Sequence, residues 1–251
     1  RLPALVSDLI AQGINVLVAV GGEPSAFAAK AATSTIPIVF TTGGDPVKAG
    51  LVASLNRPGG NATGISLLTT APESKRLGLL HETVPKAALI GVLINPNYAE
   101  AENQTREVQD AAHSIGQGIR ISKAGTDGEL ESTFEAFIEQ RIEALLVCSD
   151  PFFDTRRDKI IGFAAQSRIP AIYQFREYAL AGGLMSYGIS LTEGYRQVGI
   201  YAGQILKGTK PAELPIQQSI KFEFVINAKT AKALGLEVLP TVLARADEVI
   251  E

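Results

Sequence analysis

Short apolar runs alternate along this chain with longer stretches in which apolar residues recur every three or four positions. The short runs predict buried strands, and the longer stretches predict amphipathic helices. Four runs are followed closely by an acidic or amide residue and then proline, in the pairs Glu23-Pro24, Asp45-Pro46, Asn95-Pro96 and Asp150-Pro151. Because Asp or Asn can cap a helix and proline is tolerated in its first turn, each pair predicts a strand that ends where a helix begins.

The predicted elements alternate between strand and helix over most of the chain. The first is an amphipathic helix that is ended by Gly13 and carries Leu2, Leu5, Val6, Leu9 and Ile10. The predicted strands cover residues 15–20, 36–40, 62–67, 88–94, 119–123, 144–148, 171–173 and 184–187. The other predicted helices cover residues 24–33, 46–55, 73–83, 98–115, 127–140, 153–168, 176–181 and 191–207. This alternation is typical of right-handed βαβ units with parallel strands.

The number of predicted strands favours two lobes. A single sheet would need about nine or ten strands, so two parallel sheets of roughly five strands each are expected. Crossovers are expected near residues 69–72, near Gly182-Gly183 and within the polar connector 208–219. Helix N-termini and unpaired N–H groups gather at the carboxyl ends of parallel strands. The sequence therefore predicts a polar ligand site in a cleft between two α/β lobes.

Composition narrows the class of function. The chain has 251 residues, of which 46% are hydrophobic and 20% charged, and its formal net charge is −3. It has no basic stripe, so nucleic acid is not expected as a partner. Cys148 is the only cysteine, which leaves no intrachain disulfide. No apolar run reaches the roughly 18 residues of a membrane span, so this chain is not expected to insert into a membrane.

The inventory of reactive groups predicts a protein that is not an enzyme. His81 and His113 both fall on predicted helices, away from strand ends. The sequence lacks a Gly-x-Ser-x-Gly elbow, a phosphate-binding loop, a Gly-x-Gly-x-x-Gly turn and a His/Cys cluster at metal spacing. No metal and no cofactor are therefore expected. The alternative left open is a hydrolase that uses a Ser or Asp nucleophile without a histidine partner.

Four segments, in this order, carry a family resemblance. They are residues 28–39 (AAKAATSTIPIV), Gly44-Asp45-Pro46, the loop 58–64 (PGGNATG) and residues 183–188 (GLMSYG). Together they resemble the ABC-transporter substrate-binding proteins of the TrpX-like family, over nearly the whole chain. The resemblance implies a type I periplasmic-binding-protein fold, α/β with two Rossmann-like lobes and parallel sheets. Some members of this family bind aromatic amino acids.

The resemblance also divides the chain. Residues 1–70 with 183–213 are expected to form lobe one, and residues 71–182 with 214–251 lobe two. Members of the family begin with an export signal and a strand, whereas Arg1 lies in what would be the second helix. Lobe one is therefore expected to be N-terminally truncated, with an exposed strand edge that a homodimer partner can cover. The location implied is periplasmic, or exported and surface-anchored.

The candidate ligand contacts of lobe one follow two predicted strands. Gly22, Glu23 and Ser25 can present backbone N–H groups to a ligand carboxylate, or form a tight turn without contact. The hydroxyl groups of Thr41 and Thr42 can donate to a ligand. Asp45 is expected either as a helix cap or as an acceptor for a ligand ammonium.

The candidate contacts of lobe two occupy the equivalent strand ends. Helix capping explains Asn95 and Asp150 as well as ligand contact does, and Asn97 follows in the same loop. Aromatic rings there can stack on a flat or apolar part of a ligand, or simply pack in the core. The aromatic candidates at strand ends of lobe two are Phe152, Tyr173 and Phe175, and Tyr187 is a further aromatic candidate in the segment 183–213 that is expected in lobe one.

These observations predict the solute-binding component of an ABC importer. It would capture a small polar organic solute, such as an aromatic or other amino acid, between its lobes and deliver it to the membrane permease. The alternative is the effector-binding domain of a transcriptional regulator, which uses the same scaffold. An upstream export signal favours the receptor, and an upstream basic helix-turn-helix favours the regulator.

Overall fold

A computed structural model describes residues 1–67, 72–218 and 221–251. The chain forms two compact units, Arg1–Leu68 with Ser190–Lys221, and Thr69–Ile189 with Phe222–Glu251. Each unit has its own sheet and its own apolar core. Residues 69–71 of the predicted first crossover, and residue 219 of the predicted connector, lie outside the described residues.

Helices and strands are numbered here in chain order. The helices are α1 (Leu2–Ala11), α2 (Glu23–Ala32), α3 (Glu73–Thr83), α4 (Ala101–Ile115), α5 (Asp127–Glu139), α6 (Pro151–Thr155), α7 (Arg157–Gln166), α8 (Arg176–Leu180), α9 (Leu191–Leu206), α10 (Ala228–Leu234) and α11 (Pro240–Leu243). The strands are β1 (Leu17–Ala19), β2 (Ile38–Thr42), β3 (Ala62–Ser66), β4 (Leu89–Ile94), β5 (Gly118–Lys123), β6 (Ala144–Val147), β7 (Ala171–Tyr173), β8 (Met185–Ile189), β9 (Gln217–Gln218), β10 (Phe222–Asn227) and β11 (Glu248–Ile250). A single 3₁₀ turn covers Pro211–Glu213 among the residues described.

Both sheets are built mainly from parallel strands. Unit one has the order β1-β2-β3-β9, with every pair parallel. Unit two has the order β11-β10-β8-β7-β6-β4-β5, and only the β8–β10 pair among the described strands is antiparallel. Strands β2, β3 and β6 are buried along their whole length. Such continuous burial is typical of parallel strands that helices cover on both faces.

Two predicted helices are wrong in the structure. Residues 46–50 form consecutive turns and residues 51–55 contain bends, so this segment is not a helix. Gly50 there has φ +73°, a left-handed conformation that ends helical geometry, and Pro58-Gly59-Gly60 follows. The predicted helix 153–168 is two helices, α6 and α7, because the backbone leaves helical geometry at Arg156.

The sheets also differ from the predicted lobes. They contain four and seven strands rather than about five each. β8 was assigned to lobe one, but it pairs with β7 and β10 and so lies in unit two. β9 was assigned to lobe two, but it pairs with β3 in unit one. Strand pairing, which hydrophobic periodicity does not report, decides both positions.

Candidate ligand-binding site

The carboxyl end of β1 in unit one is a tight turn closed by Ser25. The Ser25 hydroxyl donates to the carbonyl of Gly22 at 2.8 Å and accepts from the N–H of Gly21 at 2.9 Å. Gly22 has φ +72°, a conformation that favours glycine, and α2 begins directly after it. The turn predicted as the alternative for Gly22, Glu23 and Ser25 is therefore present, with the polar atoms of Ser25 used locally.

Glu23 ties the ends of β1 and β2 together. The residue is buried, with 7% of its surface exposed, and its Oε1 accepts from the Thr42 hydroxyl and from the Gly44 N–H at 2.8 Å. Thr42 was expected to donate to a ligand, but its hydroxyl donates to this carboxylate. Among the described residues, Oε2 of Glu23 has no hydrogen-bond partner. The edge of unit one therefore contains a fixed, buried carboxylate with one oxygen unused.

The loop after β2 is stabilised by its own polar groups. Asp45 Oδ1 accepts from the N–H groups of Val47 at 2.8 Å and Lys48 at 3.2 Å, so Asp45 caps a turn rather than the predicted helix. Thr41 is buried in β2. Ser66, which the sequence did not single out, donates to the carbonyl of Gly44 at 3.2 Å.

In unit two, Asn95 and Asp150 join the ends of β4 and β6. Asn95 Nδ2 donates to Asp150 Oδ1 at 3.0 Å, and the same oxygen accepts from the N–H of Phe153 at 3.1 Å. Asp150 thereby caps α6, as its capping interpretation predicts. Asn95 Oδ1 accepts from the N–H of Asn97 at 3.0 Å, while Asn97 itself is exposed.

The aromatic candidates have different environments. Tyr173 is fully buried, and its ring stacks on Tyr178 with centroids 4.7 Å apart, so core packing is its observed role. Phe175 is also buried. Tyr187 is half-buried and stacks on Phe222 at 5.7 Å. The ring of half-buried Phe152 lies 4.8 Å from the guanidinium carbon of Arg156. Phe152 and Tyr187 thus keep accessible aromatic surface.

A buried ion pair that the sequence analysis did not predict lies next to the carboxyl end of β6. Glu73 and Arg76 are fully buried one turn apart on α3, and their charged atoms are 2.6 Å apart. Glu73 Oε1 also accepts from the Ser149 N–H at 2.9 Å and from Gln104 at 3.2 Å. Arg76 donates to the Ser149 hydroxyl at 2.9 Å and to the Tyr187 carbonyl at 3.0 Å. The pair therefore holds the segment after β6 and the middle of β8 in place.

A second missed group lies at the ends of the neighbouring strands β6 and β7. Asp154 on α6 accepts with Oδ1 from Gln174 Nε2 and from the Tyr178 hydroxyl, the latter at 3.1 Å. The pKa of Asp154 is raised to about 7, mainly by burial and also by the charges of Asp150 and Glu177, while the hydrogen bonds from Tyr178 and Gln174 oppose the rise. A carboxyl group that titrates near neutral pH at a strand edge is a candidate functional group.

The sequence contained partial signals for this group. Asp154 is one helical turn after Asp150, and Gln174 lies between the candidates Tyr173 and Phe175. The predicted contacts after β6 end at Phe152. Those after β7 are the aromatic residues on either side of Gln174, whose amide was not predicted as a contact. The pairing of α6 with the end of β7 is a tertiary contact that spacing does not report.

The described part of the chain offers little to a metal ion or a bilayer. In these ranges, no group of three or more His, Cys, Asp or Glu side chains is arranged to hold a metal ion. No helix in the same ranges is long and apolar enough to cross a membrane. The thiol of Cys148 is fully buried, and burial raises its pKa.

Comparisons with known proteins give one family. Residues 2–250 match the family described as ABC transporter substrate binding protein. A tyrosine-binding protein of Clostridioides difficile (strain R20291) is 29% identical over 236 residues, which cover 94% of this chain and 67% of that protein.

Three solved structures are similar over nearly the whole chain. A conserved domain protein of Vibrio cholerae has a TM-score of 0.86 and 30% identity, covering 99% of this chain and 82% of that one. An ABC domain of Streptococcus pneumonia in complex with L-Trp has a TM-score of 0.85 and 26% identity, covering 99% and 85%. The ligand-free, open structure of a substrate binding protein with adhesive properties from Clostridium difficile has a TM-score of 0.65 and 26% identity, covering 100% and 82%.

Proposed function

Because this chain belongs to the ABC transporter substrate-binding protein family, which matches residues 2–250, we propose that its solute is an aromatic amino acid, tyrosine or tryptophan. The TrpX-like resemblance, the type I periplasmic-binding fold and the solute-binding role in an ABC importer are confirmed by the family and its relatives. The regulator alternative is less supported.

One observation carries the proposal of an aromatic solute. The pneumococcal domain that covers 99% of this chain was solved with L-Trp bound, and the clostridial relative is named for tyrosine. Both solutes combine a flat ring with an ammonium and a carboxylate. The half-buried rings of Phe152 and Tyr187 provide stacking surface for such a ring.

We propose that the polar candidates contact the solute from the carboxyl edges of the two sheets. In unit one, Glu23 is a proposed contact of the solute, and Thr41, Thr42 and the loop from Asp45 surround it. The hydrogen bonds from Thr42 and Gly44 to Glu23 support this role, because they hold the carboxylate in one orientation. Gly22 and Ser25 act by closing the turn before α2.

In unit two, we propose that the solute contacts a polar surface formed by Asn95, Asn97 and Asp150. Phe175 is proposed to pack against the aromatic surface that binds the ring. The Asn95–Asp150 hydrogen bond holds both side chains in place. Their fixed geometry lowers the entropy lost when a solute binds.

Members of this family bind a small molecule and pass it to an ABC permease outside the cytoplasm, either in the periplasm or anchored at the surface. We propose that this chain releases its solute unchanged and has no enzymatic activity. A homodimer stays a prediction, and equilibrium sedimentation with and without solute tests it.

A thermal-unfolding screen tests the proposed solute class. The twenty amino acids are supplied in turn at one common concentration, which is 1,000 times the Kd of the tightest binder. Myo-inositol at the same concentration is the control that is not an amino acid. A ligand that binds only the folded state stabilises it by about 4 kcal/mol under these conditions. L-tyrosine or L-tryptophan should raise the Tm most. A larger rise with an aliphatic or charged amino acid, or with the polyol, contradicts the proposal.

A further inference from the structure

The edge of unit two contains more buried hydrogen-bond acceptors than donors. Gln174 is fully buried, and its Nε2 donates to Asp154 Oδ1 and to the Tyr178 hydroxyl at 3.4 Å. The other atom of the same amide, Oε1, has no partner among the described residues. Oε2 of Glu177 is likewise inaccessible and unpartnered in those ranges. We call Asp154, Gln174, Glu177 and Tyr178 the acceptor cluster.

The orientation of Gln174 follows from the charge of its neighbour. When Asp154 is ionised, turning the amide over would place Oε1 against its carboxylate, where two oxygens repel, so the carbonyl oxygen is the atom left free. Both donors of the cluster, Gln174 Nε2 and the Tyr178 hydroxyl, already donate to Asp154. A buried acceptor that lacks a donor destabilises the folded state. The cluster is therefore completed by a group that brings several donors and no acceptor.

We propose that the α-ammonium group of the solute binds in the acceptor cluster and donates to Asp154 and to Gln174 Oε1, with Glu177 supplying further negative charge. This inference rests on the proposed function, because only an amino acid brings this group together with an aromatic ring. An ammonium has three donors and no acceptor, which matches the groups left unsatisfied. Phe152, two residues before Asp154, places stacking surface near the same strand end.

Glu23 in unit one is the rival position for the ammonium. Its Oε2 is also buried and unpartnered among the residues described. There, however, two donors already hold the other oxygen, and no second unsatisfied acceptor accompanies it in the described part of that unit. In the acceptor cluster a carboxylate, an amide oxygen and a second carboxylate occur together, so the cluster fits a group with three donors better.

Analogues that lack one group of the solute test the inference directly. Isothermal titration is carried out with L-tyrosine and 3-(4-hydroxyphenyl)propionate, or with L-tryptophan and indole-3-propionate if tryptophan binds more tightly. Hydrogen bonds to charged groups contribute about 1.5–3 kcal/mol each, so the wild-type protein should prefer the amino acid over its desamino analogue by about 10- to 100-fold. In Asp154→Asn and in Gln174→Met, this preference should fall to within about threefold.

Matched variants separate the possible outcomes. Asp158→Asn, at an exposed acid on the next helix, should keep the full preference. If Asp154→Asn shows no cooperative thermal transition and so fails to fold, the preference for the amino acid over its desamino analogue is measured in Gln174→Met and Glu177→Gln instead. A preference that survives in all cluster variants but is lost in Glu23→Gln overturns the inference and leaves the proposed function standing. A wild-type protein that binds neither aromatic amino acid overturns both.

Discussion

Asn95 donates from Nδ2 to Oδ1 of Asp150 at 3.0 Å, and this side-chain hydrogen bond joins the segments that follow β4 and β6. The same Asp150 oxygen caps α6 by accepting from the N–H of Phe153. Asp150 therefore both caps α6 and holds Asn95, the residue that follows β4. The polar edge of unit two is rigid as a result.

Replacing Asp150 should test this double role. Asp150→Ala removes both the cap and the acceptor for Asn95, and we expect it to lower the free energy of unfolding by about 1–3 kcal/mol. Asp150→Asn keeps an oxygen that can cap α6 and accept from Asn95, so it should lose clearly less. Urea unfolding followed by far-ultraviolet circular dichroism measures both values. Equal losses in the two variants would contradict the double role.

The buried pair of Glu73 and Arg76 should show strong coupling. Arg76→Met leaves the Glu73 carboxylate buried without its cation, and removing one partner of a buried ion pair costs about 3–5 kcal/mol. Adding Glu73→Gln removes the uncompensated charge, so the double variant should be more stable than the sum of the two single losses predicts. Denaturant unfolding of all four proteins gives the coupling energy. Strictly additive losses would show that the two side chains act independently.

Asp154 should make stability depend on pH. Its pKa is about 7 in the folded state, against an ordinary value of 3.8, so the folded state binds more protons between these values. Stability from this group is therefore present below about pH 4 and is lost as the pH rises through 7. The acids that face it are Asp150 and Glu177, while Gln174 and Tyr178 donate to it.

Asp154→Asn stays neutral and should remove this dependence. Its stability relative to the wild-type protein should rise by roughly 1–3 kcal/mol between pH 4 and pH 8, measured without solute. Asp158→Asn, with its side chain exposed, is the control and should show no such rise. A stability difference for Asp154→Asn that is flat with pH would show that Asp154 ionises at its ordinary value.

Gly50 gives a test of the turns that replace the predicted helix 46–55. At φ +73° an alanine is strained although no atom lies within 4 Å of its Cβ, so Gly50→Ala should destabilise the protein by about 1 kcal/mol. Gly128→Ala in α5 also meets no atom, but there alanine favours the helix and should stabilise the protein by up to about 1 kcal/mol. The change in Tm of each variant relative to the wild-type protein measures both effects. A stabilising Gly50→Ala would restore the helix prediction.

The sequence was most informative where local chemistry and periodicity agree. The predicted helix 73–83 coincides with α3, and Asp150 is the predicted cap. The opening helix was also correctly predicted, since α1 covers Leu2–Ala11. Apolar spacing marks α1 and α3, and a side-chain cap followed by proline marks the start of α6.

Predictions failed where distant contacts decide the structure. The lobe assignment of β8 was wrong because it depends on strand pairing. The stacking of Tyr173 on Tyr178 agrees with the core-packing alternative for its ring. The hydroxyl of Thr42 donates to Glu23, which is 19 residues earlier in the chain, and a ligand contact of Thr42 stays a prediction. The acceptor cluster was missed because the Asp154–Gln174 contact joins two different strand ends.

Equilibrium binding of L-tyrosine and L-tryptophan to the purified chain, followed by chemical recovery of the solute, tests the central claim most directly. Isothermal titration should show one of them binding at one molecule per chain, and mass spectrometry of the released solute should return it with its mass unchanged. Absence of binding for both amino acids, or recovery of a chemically altered product, would contradict the account.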